Sequence, residues 1–312
     1  MDLRNKKILV TGGAGFLGAY VVRELLKQGV PRENILVPRS KDYDLRREAI
    51  CNKIIKGIDI VIHAAGNVGG IGKNQKFPAT LLYDNLLMGI HLIHAATKAR
   101  VKKIVVIGTI CSYPKYAAIP FKEEDLWMGY PEETNAPYGL AKKILLVAIQ
   151  SYQKQHNLTG IYLLLVNMYG PRDNFDLETS HVIPALIRKV ANAKINNKKY
   201  VEVWGDGTPT REFIYVEDAA RAIVMATKKY NKTEPVNIGS GEEISIKDLL
   251  TLIAKYLNFK GEIVWDTTKP NGQPRRQLDV SKAFEEFKFR ARIPFDVGLR
   301  QTIKWYLNQF KE

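Results

Sequence analysis

The chain has 312 residues and 46% hydrophobic content, enough to bury a sizeable core in a two-lobed fold or two small domains. Its formal net charge of +15 admits nucleic acid, an anionic surface or a phosphorylated small molecule, but the lysines and arginines are spread along the whole chain with no basic arm. We therefore expect a solvated basic surface, part of it used for a nucleotide diphosphate, and no nucleic-acid partner. No apolar run reaches the ~18 residues of a membrane span, no leader precedes the strand-like Ile8, and two cysteines (Cys51, Cys111) make no disulfide framework. Together these predict a cytoplasmic protein with no membrane partner, and no metal-ligand cluster is evident.

Lys7 to Val10 reads as a first strand, followed by the glycine-rich Thr11-Gly-Gly-Ala-Gly-Phe-Leu-Gly18 and an amphipathic helix to about Gln28. Strand, glycine turn and helix in that order predict a dinucleotide site. The glycines let backbone amides approach a pyrophosphate seated on the positive end of the helix. The second strand, 34–37, leads into Pro38-Arg39-Ser40-Lys41 rather than an acidic residue. Two cations and a hydroxyl suit a ribose 2′-phosphate, so the expected cofactor is NADP(H), with NAD(H) as the alternative.

Strand three, 58–62, ends in His63-Ala-Ala-Gly66, where His63 reads as a packed core histidine, and Asn67 to Gly72 reads as a flexible loop lining a pocket. Pro78 to Arg100 predicts one long helix, with Leu82, Leu86, Ile90, Ile93 and Ala96 at helical spacing. A buried strand over 103–108 ends in Thr109-Ile110-Cys111, the kind of strand end where open α/β sheets bind ligands. Tyr138 opens a helix to about His156, which places Lys142 one turn away on the same face. An ammonium there is expected to lower the phenol from about 10 toward neutrality. A further strand spans 161–166. Strand–helix alternation over this half predicts a doubly wound parallel sheet of the Rossmann type. Beyond Pro171 come a helix (180–193), strands (200–204 and 213–216) and a helix (217–229), which predict a smaller, less regular α/β lobe. The expected division is a dinucleotide-binding domain over 1–170, rejoined by 211–240, with 171–210 and 241–312 as the substrate lobe.

The glycine turn, His63-Ala-Ala-Gly66, Tyr138-x-x-x-Lys142, Asn167-x-Tyr-Gly-Pro171 and Trp204-Gly-Asp-Gly-Thr-Pro-Thr-Arg-Glu-Phe213 followed by Val216-Glu-Asp218 resemble the extended short-chain dehydrogenase/reductases over essentially the whole chain. Asn67-Val-Gly-Gly-Ile71, Cys111-Ser-Tyr-Pro-Lys115, Asn135-Ala-Pro-Tyr138, Gly170-Pro-Arg-Asp-Asn-Phe175 and Ser180-His-Val-Ile-Pro-Ala-Leu186 resemble, more narrowly, the GDP-L-fucose synthase family. That resemblance implies a bifunctional enzyme that inverts C3 and C5 of GDP-4-keto-6-deoxy-D-mannose and then reduces the C4 ketone with NADPH. Cys111 and His181 would exchange the protons at C3 and C5. Tyr138, supported by Lys142, would protonate the C4 oxygen, and Thr109 would hydrogen-bond it. Cofactor contacts would come from Gly12, Gly15, Phe16, Leu17, Gly18, Arg39, Ser40, Lys41, Ala64, Ala65, Gly66, Tyr138, Lys142, Asn167 and His181. The nucleotide sugar would meet Asn167, Lys189, Trp204 and Arg211. A homodimer formed through helices 80–99 and 138–156 is implied as well.

The sequence departs from the family at Asn67 (commonly lysine), Ala14-Gly15 (commonly Arg-Gly) and Lys189 (commonly arginine), which leaves room for a related sugar such as a 3,6-dideoxy ketose. Two other readings follow from the residues. One is an NAD-dependent nucleotide-sugar 4-epimerase or dehydratase, which needs Tyr138 and Lys142 but not Cys111 or His181. The other, motivated by the charge of +15, is a non-enzymatic nucleotide-binding regulatory or RNA-associated protein that has kept the scaffold.

Overall fold

The computed structural model describes residues 1–269 and 271–309. In chain order the elements are β1 (Ile8–Thr11), α1 (Phe16–Lys27), β2 (Ile35–Leu36), α2 (Glu48–Ile54), β3 (Ile60–His63), α3 (Ile71–Lys76), α4 (Pro78–Lys98), β4 (Lys103–Thr109), α5 (Ala136–His156), β5 (Gly160–Leu165) and β6 (Asn167–Tyr169). There follow α6 (Val182–Ile195), β7 (Tyr200–Trp204), β8 (Thr210–Tyr215), α7 (Val216–Lys229), β9 (Val236–Ile238), β10 (Glu243–Ser245), α8 (Ile246–Tyr256), β11 (Glu262–Asp266), α9 (Ser281–Phe287) and α10 (Phe295–Asn308).

Six strands form one parallel sheet in the order β2-β1-β3-β4-β5-β9. Every residue of β1, β3, β4, β5 and β9 is buried, because α7, paired with α1, and α5, paired with α4, both pack on the central strands. Burial on two faces is why these strands read as unbroken apolar runs instead of alternations. The doubly wound α/β arrangement is as expected. The order turns back at β1, with β2 on one side and β3 on the other. The carboxyl ends of β1 and β3 therefore flank the crevice where such sheets take ligands.

The rest of the chain adds a sheet in the order β10-β8-β6 and a parallel pair β11-β7. A second apolar cluster fills the space between them and α6, α8 and α10; Ile187, Val190, Leu249, Ile253, Leu299 and Ile303 are at its centre. β8 starts at Thr210, three residues before the expected 213, because β6 and β10 pair with it on both sides. α6 starts at Val182, so Ser180 and His181 fall outside the helix. The segment expected to be a flexible loop after Gly66 is anchored. The Asn67 N–H donates to Asn85 Oδ1 at 3.1 Å, Asn74 Nδ2 donates to Gly69 O at 2.9 Å, and α3 forms from Ile71.

The expected apolar stripe of α4 is only half right. Ile93 and Ala96 are in the core, but Leu82 is exposed and Leu86 and Ile90 are only partly covered. The buried face runs through Leu81, Asn85, Gly89, Leu92 and Ala96. Gly89 lies on it because α5 comes so close that a β-carbon there would stand 2.3 Å from Leu145.

Lys103, the first residue of β4, is fully buried under the C-terminus of α7. Its ammonium donates to Thr227 O at 2.7 Å, to Asn231 Oδ1 at 2.9 Å and to Tyr230 O. The two backbone carbonyls, of Thr227 and Tyr230, are ones that the end of the helix leaves without donors. Burial pushes this lysine down to about 8. Lys103→Met should therefore cost about 2–4 kcal/mol by stranding those carbonyls and lower the melting midpoint by about 5–10 °C in differential scanning fluorimetry. The unfolded chain keeps its proton up to about 10.4, so the wild type should gain stability as pH rises from about 8 toward that value, and the variant should not.

Among the described residues no helix is long and apolar enough to cross a membrane, and no group of His, Cys, Asp and Glu side chains could hold a metal ion.

Candidate active site

The first wall of the cleft is the turn after β1. Gly12 has φ +70° and backs directly onto the end of β3, where a β-carbon would stand 2.7 Å from Ala65 N, so only glycine fits there. α1 then begins with Gly15 at its N-cap, with no side-chain cap and no acid in its first turn. An uncapped positive helix end beside a glycine turn suits a pyrophosphate. On one flank, Arg39, Ser40 and Lys41 are exposed, and their side chains make no hydrogen bond or ion pair among the described residues. They are free to take a phosphate. On the other flank lie Ala64, Ala65 and Gly66. His63 is the core residue expected: its Nδ1 is 2.8 Å from Thr11 Oγ1, and burial holds the imidazole neutral, down to about 3.

The second wall is the end of β4 with the start of α5. The Thr109 hydroxyl accepts from the Cys111 N–H at 3.2 Å and caps a short 3₁₀ turn over Ile110–Ser112. Gly139 lets α5 sit on that turn, since a β-carbon there would stand 2.3 Å from Cys111 O, and Ser112 Oγ donates to Gly139 O at 2.9 Å. This packing brings Tyr138 against Thr109 and Cys111. Lys142, 3% exposed as a residue, follows one turn later, and its Nζ is 3.6 Å from where a β-carbon on Gly66 would be.

The electrostatics correct the expectation for Tyr138. Burial raises the phenol above its ordinary value, a nearby negative charge on Cys111 would raise it further, and the Thr109 hydroxyl only partly offsets this. Lys142 is itself pushed down to about 8 by burial. Helical spacing suggests an ammonium acting on a phenol, but it is the loss of water on burial, with no contribution from Lys142, that sets the direction for the phenol. Tyr138 therefore keeps its proton at neutral pH.

The third wall comes from β8. Arg211 lies against Gly272, donates to Thr210 O at 2.7 Å, and is pushed down to about 10 by burial and then by Arg276. Its neighbour Glu212 points to the other face. There it accepts from Leu278 N at 2.7 Å and Gly241 N at 2.8 Å, and burial pushes it up to about 7. These bonds, with Glu212 N donating to Arg276 O at 3.1 Å, fix the segment 274–278 along β8. The result is a residue the sequence reading missed. Arg276 is 9% exposed, its Nη1 is 3.8 Å from Cys111 Sγ, and its Nε has no hydrogen-bond partner among the described residues. Pro274-Arg-Arg276 has no local signature of a site, because long-range pairing puts it there.

Lys189 and Trp204 meet each other. The indole is 58% exposed rather than core, and the ammoniums of Lys189 and Lys269 stand 5.9 and 6.0 Å from its ring centre. The segment from Asn271 to Arg276 runs from this patch to the thiol. Asn271 Oδ1 accepts from Asp206 N at 2.9 Å, and Gln273 Nε2 donates to Lys115 O at 2.9 Å. Asn167 begins β6, opposite Phe213 of β8.

His181 is the N-cap of α6 and exposed as a residue, with its imidazole lowered by loss of water around the ring. Its neighbours Thr179 and Ser180 lie against Gly70. No hydrogen bond or ion pair among the described residues joins it to Cys111 or Tyr138. Thus Thr109, Cys111, Tyr138, Arg211 and Arg276 form one cluster. Cys51 is remote from both. It is buried, pushed up to about 12, and donates to Leu45 O at 3.3 Å.

Residues 8–239 match the NAD dependent epimerase/dehydratase family. The chain is 40% identical to a GDP-L-fucose synthase of Sinorhizobium fredii over 98% of its own length and 97% of the relative's. It is 38% identical to GDP-L-fucose synthase 1 of Arabidopsis thaliana, covering 98% of this chain and 95% of that one. Among solved structures, a GDP-L-fucose synthetase from Naegleria fowleri bound to NADP superposes with a TM-score of 0.89 at 29% identity, covering 99% of this chain and 96% of that one.

Proposed function

The chain belongs to the NAD dependent epimerase/dehydratase family, and from that membership we propose that it is an NADPH-dependent epimerase–reductase of a GDP-4-keto-6-deoxy-hexose. The observation that carries this reading is the thiol of Cys111, accessible in the cleft beside the Tyr138 phenol and 3.8 Å from a buried guanidinium. A 4-epimerase that returns its hydride uses the phenol and the ammonium and has no work for that thiol.

Bound NADPH supplies the hydride for C4. The turn Gly12 to Gly18, with Phe16 and Leu17, would hold its pyrophosphate, and Arg39, Ser40 and Lys41 its 2′-phosphate. Ala64, Ala65, Gly66, Lys142, Asn167 and His181 would line its nicotinamide half. Cys111 and His181 remove and return the protons at C3 and C5, which are acidic because an enolate at C4 carries the charge. Arg276 and Arg211 put positive charge where that enolate and the diphosphate lie. Tyr138 gives its proton to the C4 oxygen while Thr109 holds that oxygen. Lys189 and Trp204 contact the nucleotide.

In this reading the sugar nucleotide sits between a dinucleotide domain (1–170 with 211–240) and a lobe of 171–210 and 241–312. The protein works in the cytoplasm as a homodimer. The outer faces of α4 and α5 support the dimer, since Leu82, Tyr83, Ile144 and Val147 are exposed there.

The test is turnover of GDP-4-keto-6-deoxy-D-mannose with NADPH in deuterium oxide. Loss of nicotinamide absorbance, with deuterium at both C3 and C5 of the product, is expected. Absorbance loss without deuterium leaves a simple C4 reductase, and no loss at all rejects the assignment.

A further inference from the structure

The geometry points to Asp84 as a positioning residue that braces the two loops on either side of the dinucleotide cleft. This rests on the cofactor reading above. The two loops start from the same glycine turn. Val37, leading into the Arg39–Lys41 loop, stands 2.9 Å from where a β-carbon on Gly13 would be, and Ala65 stands equally close behind Gly12. Each loop then moves outward, one toward the 2′-phosphate end and the other, through Gly66, toward Lys142. They are joined again through α4. Asp84 Oδ1 takes Arg46 Nη1 at 3.1 Å, and Asp84 Oδ2 takes Asn67 Nδ2 at 2.9 Å.

Each end of this bridge is fixed in its own loop. Arg46 Nε and Nη2 grip Asp44 at 2.9 Å each, and residues 39–43 close as a turn, with Tyr43 N donating to Arg39 O at 2.9 Å. Asn67 is held through its backbone: Asn85, the next residue of α4, accepts from its N–H at 3.1 Å and donates to its carbonyl at 2.8 Å. One largely buried carboxylate thus sets the distance between the two grips on an extended ligand. A cleft preset at that width loses less freedom on binding than one whose rims move separately. The carboxylate takes one charged and one neutral donor on separate oxygens, so the contact is directional and not a generic surface pair.

Two measurements test the brace. The first is amide hydrogen exchange at residues 66–70, which needs no cofactor. Arg46→Ala, at a half-exposed site, is expected to speed exchange at the Asn67 amide by about tenfold although it lies in the other loop. The second is the NADPH dissociation constant by calorimetry for Arg46→Ala, Asn67→Ala and the double variant. Each single change is expected to weaken binding by about tenfold and the double by no more than either, the non-additivity of a shared element. Unchanged exchange in 66–70, or losses that simply add, overturns the brace. Should the wild type bind no NADPH, the cofactor assignment falls while the exchange result still decides whether the loops are coupled.

Discussion

Tyr138→Phe is expected to lower the rate of C4 reduction by about 10²–10⁴-fold, the usual worth of a positioned general acid, while C3/C5 exchange of solvent deuterium continues. The argument starts from burial. Gly139 seats the first turn of α5 on Cys111, and this puts the phenol in a site that raises its pKa above the ordinary value. A phenol that holds its proton at pH 7 is a poor base and an always loaded acid, which is what an oxygen gaining a hydride at its carbon requires. The group that titrates first is Lys142, pushed down to about 8. Its positive charge is present below that value and lost above it. The reduction rate of the wild type should therefore fall along an alkaline limb near pH 8, set by the ammonium and not by the phenol. Single-turnover rates followed at the nicotinamide absorbance from pH 6 to 10 check both statements. Full activity in the phenylalanine variant would remove Tyr138 from the proposed role.

Cys111→Ser is expected to cut solvent-deuterium exchange at the carbons beside the ketone by about 10²–10⁴-fold and to leave NADPH affinity unchanged. A hydroxyl of nearly the same size keeps the contact with Arg276, at 3.8 Å in the wild type, and the cap that Thr109 makes on the backbone of the 3₁₀ turn. What changes is the readiness to release a proton, since a serine hydroxyl is far less acidic than a thiol. Mass spectrometry of recovered substrate after incubation without NADPH gives the exchange directly. If label still enters at the wild-type rate, the base lies elsewhere in the cleft, and His181 becomes the first residue to replace.

Much of this site could be read along the chain because its parts are local. Four residues separate Tyr138 from Lys142 on one helix. The glycines that turn β1 into α1 lie within eight residues of one another, and the β4 end carrying Thr109 and Cys111 is a single apolar run with its punctuation. Arg276 could not be read in that way. It enters the cleft because segment 274–278 is pinned to β8 by the carboxylate of Glu212, a contact 66 residues apart in the chain at Leu278. The charge state of Tyr138 was misjudged for a related reason: spacing reports which charges are near, and only packing reports how much water has gone. The α4 stripe failed because its inward face carries Gly89 and Asn85, one chosen for closeness to Leu145 and the other for hydrogen bonds to Asn67, and neither counts as apolar pattern.

Consecutive side chains of β8 serve opposite masters, with Arg211 toward the thiol and Glu212 toward the backbone of 241 and 278. A strand has a period of two, so gaining or losing one residue upstream would trade these places. A negative charge would then face a doubly charged diphosphate, and a guanidinium would be left among amide hydrogens it cannot accept from. The length of the stretch between Trp204 and Phe213 is therefore fixed more tightly by the chemistry than any single letter within it.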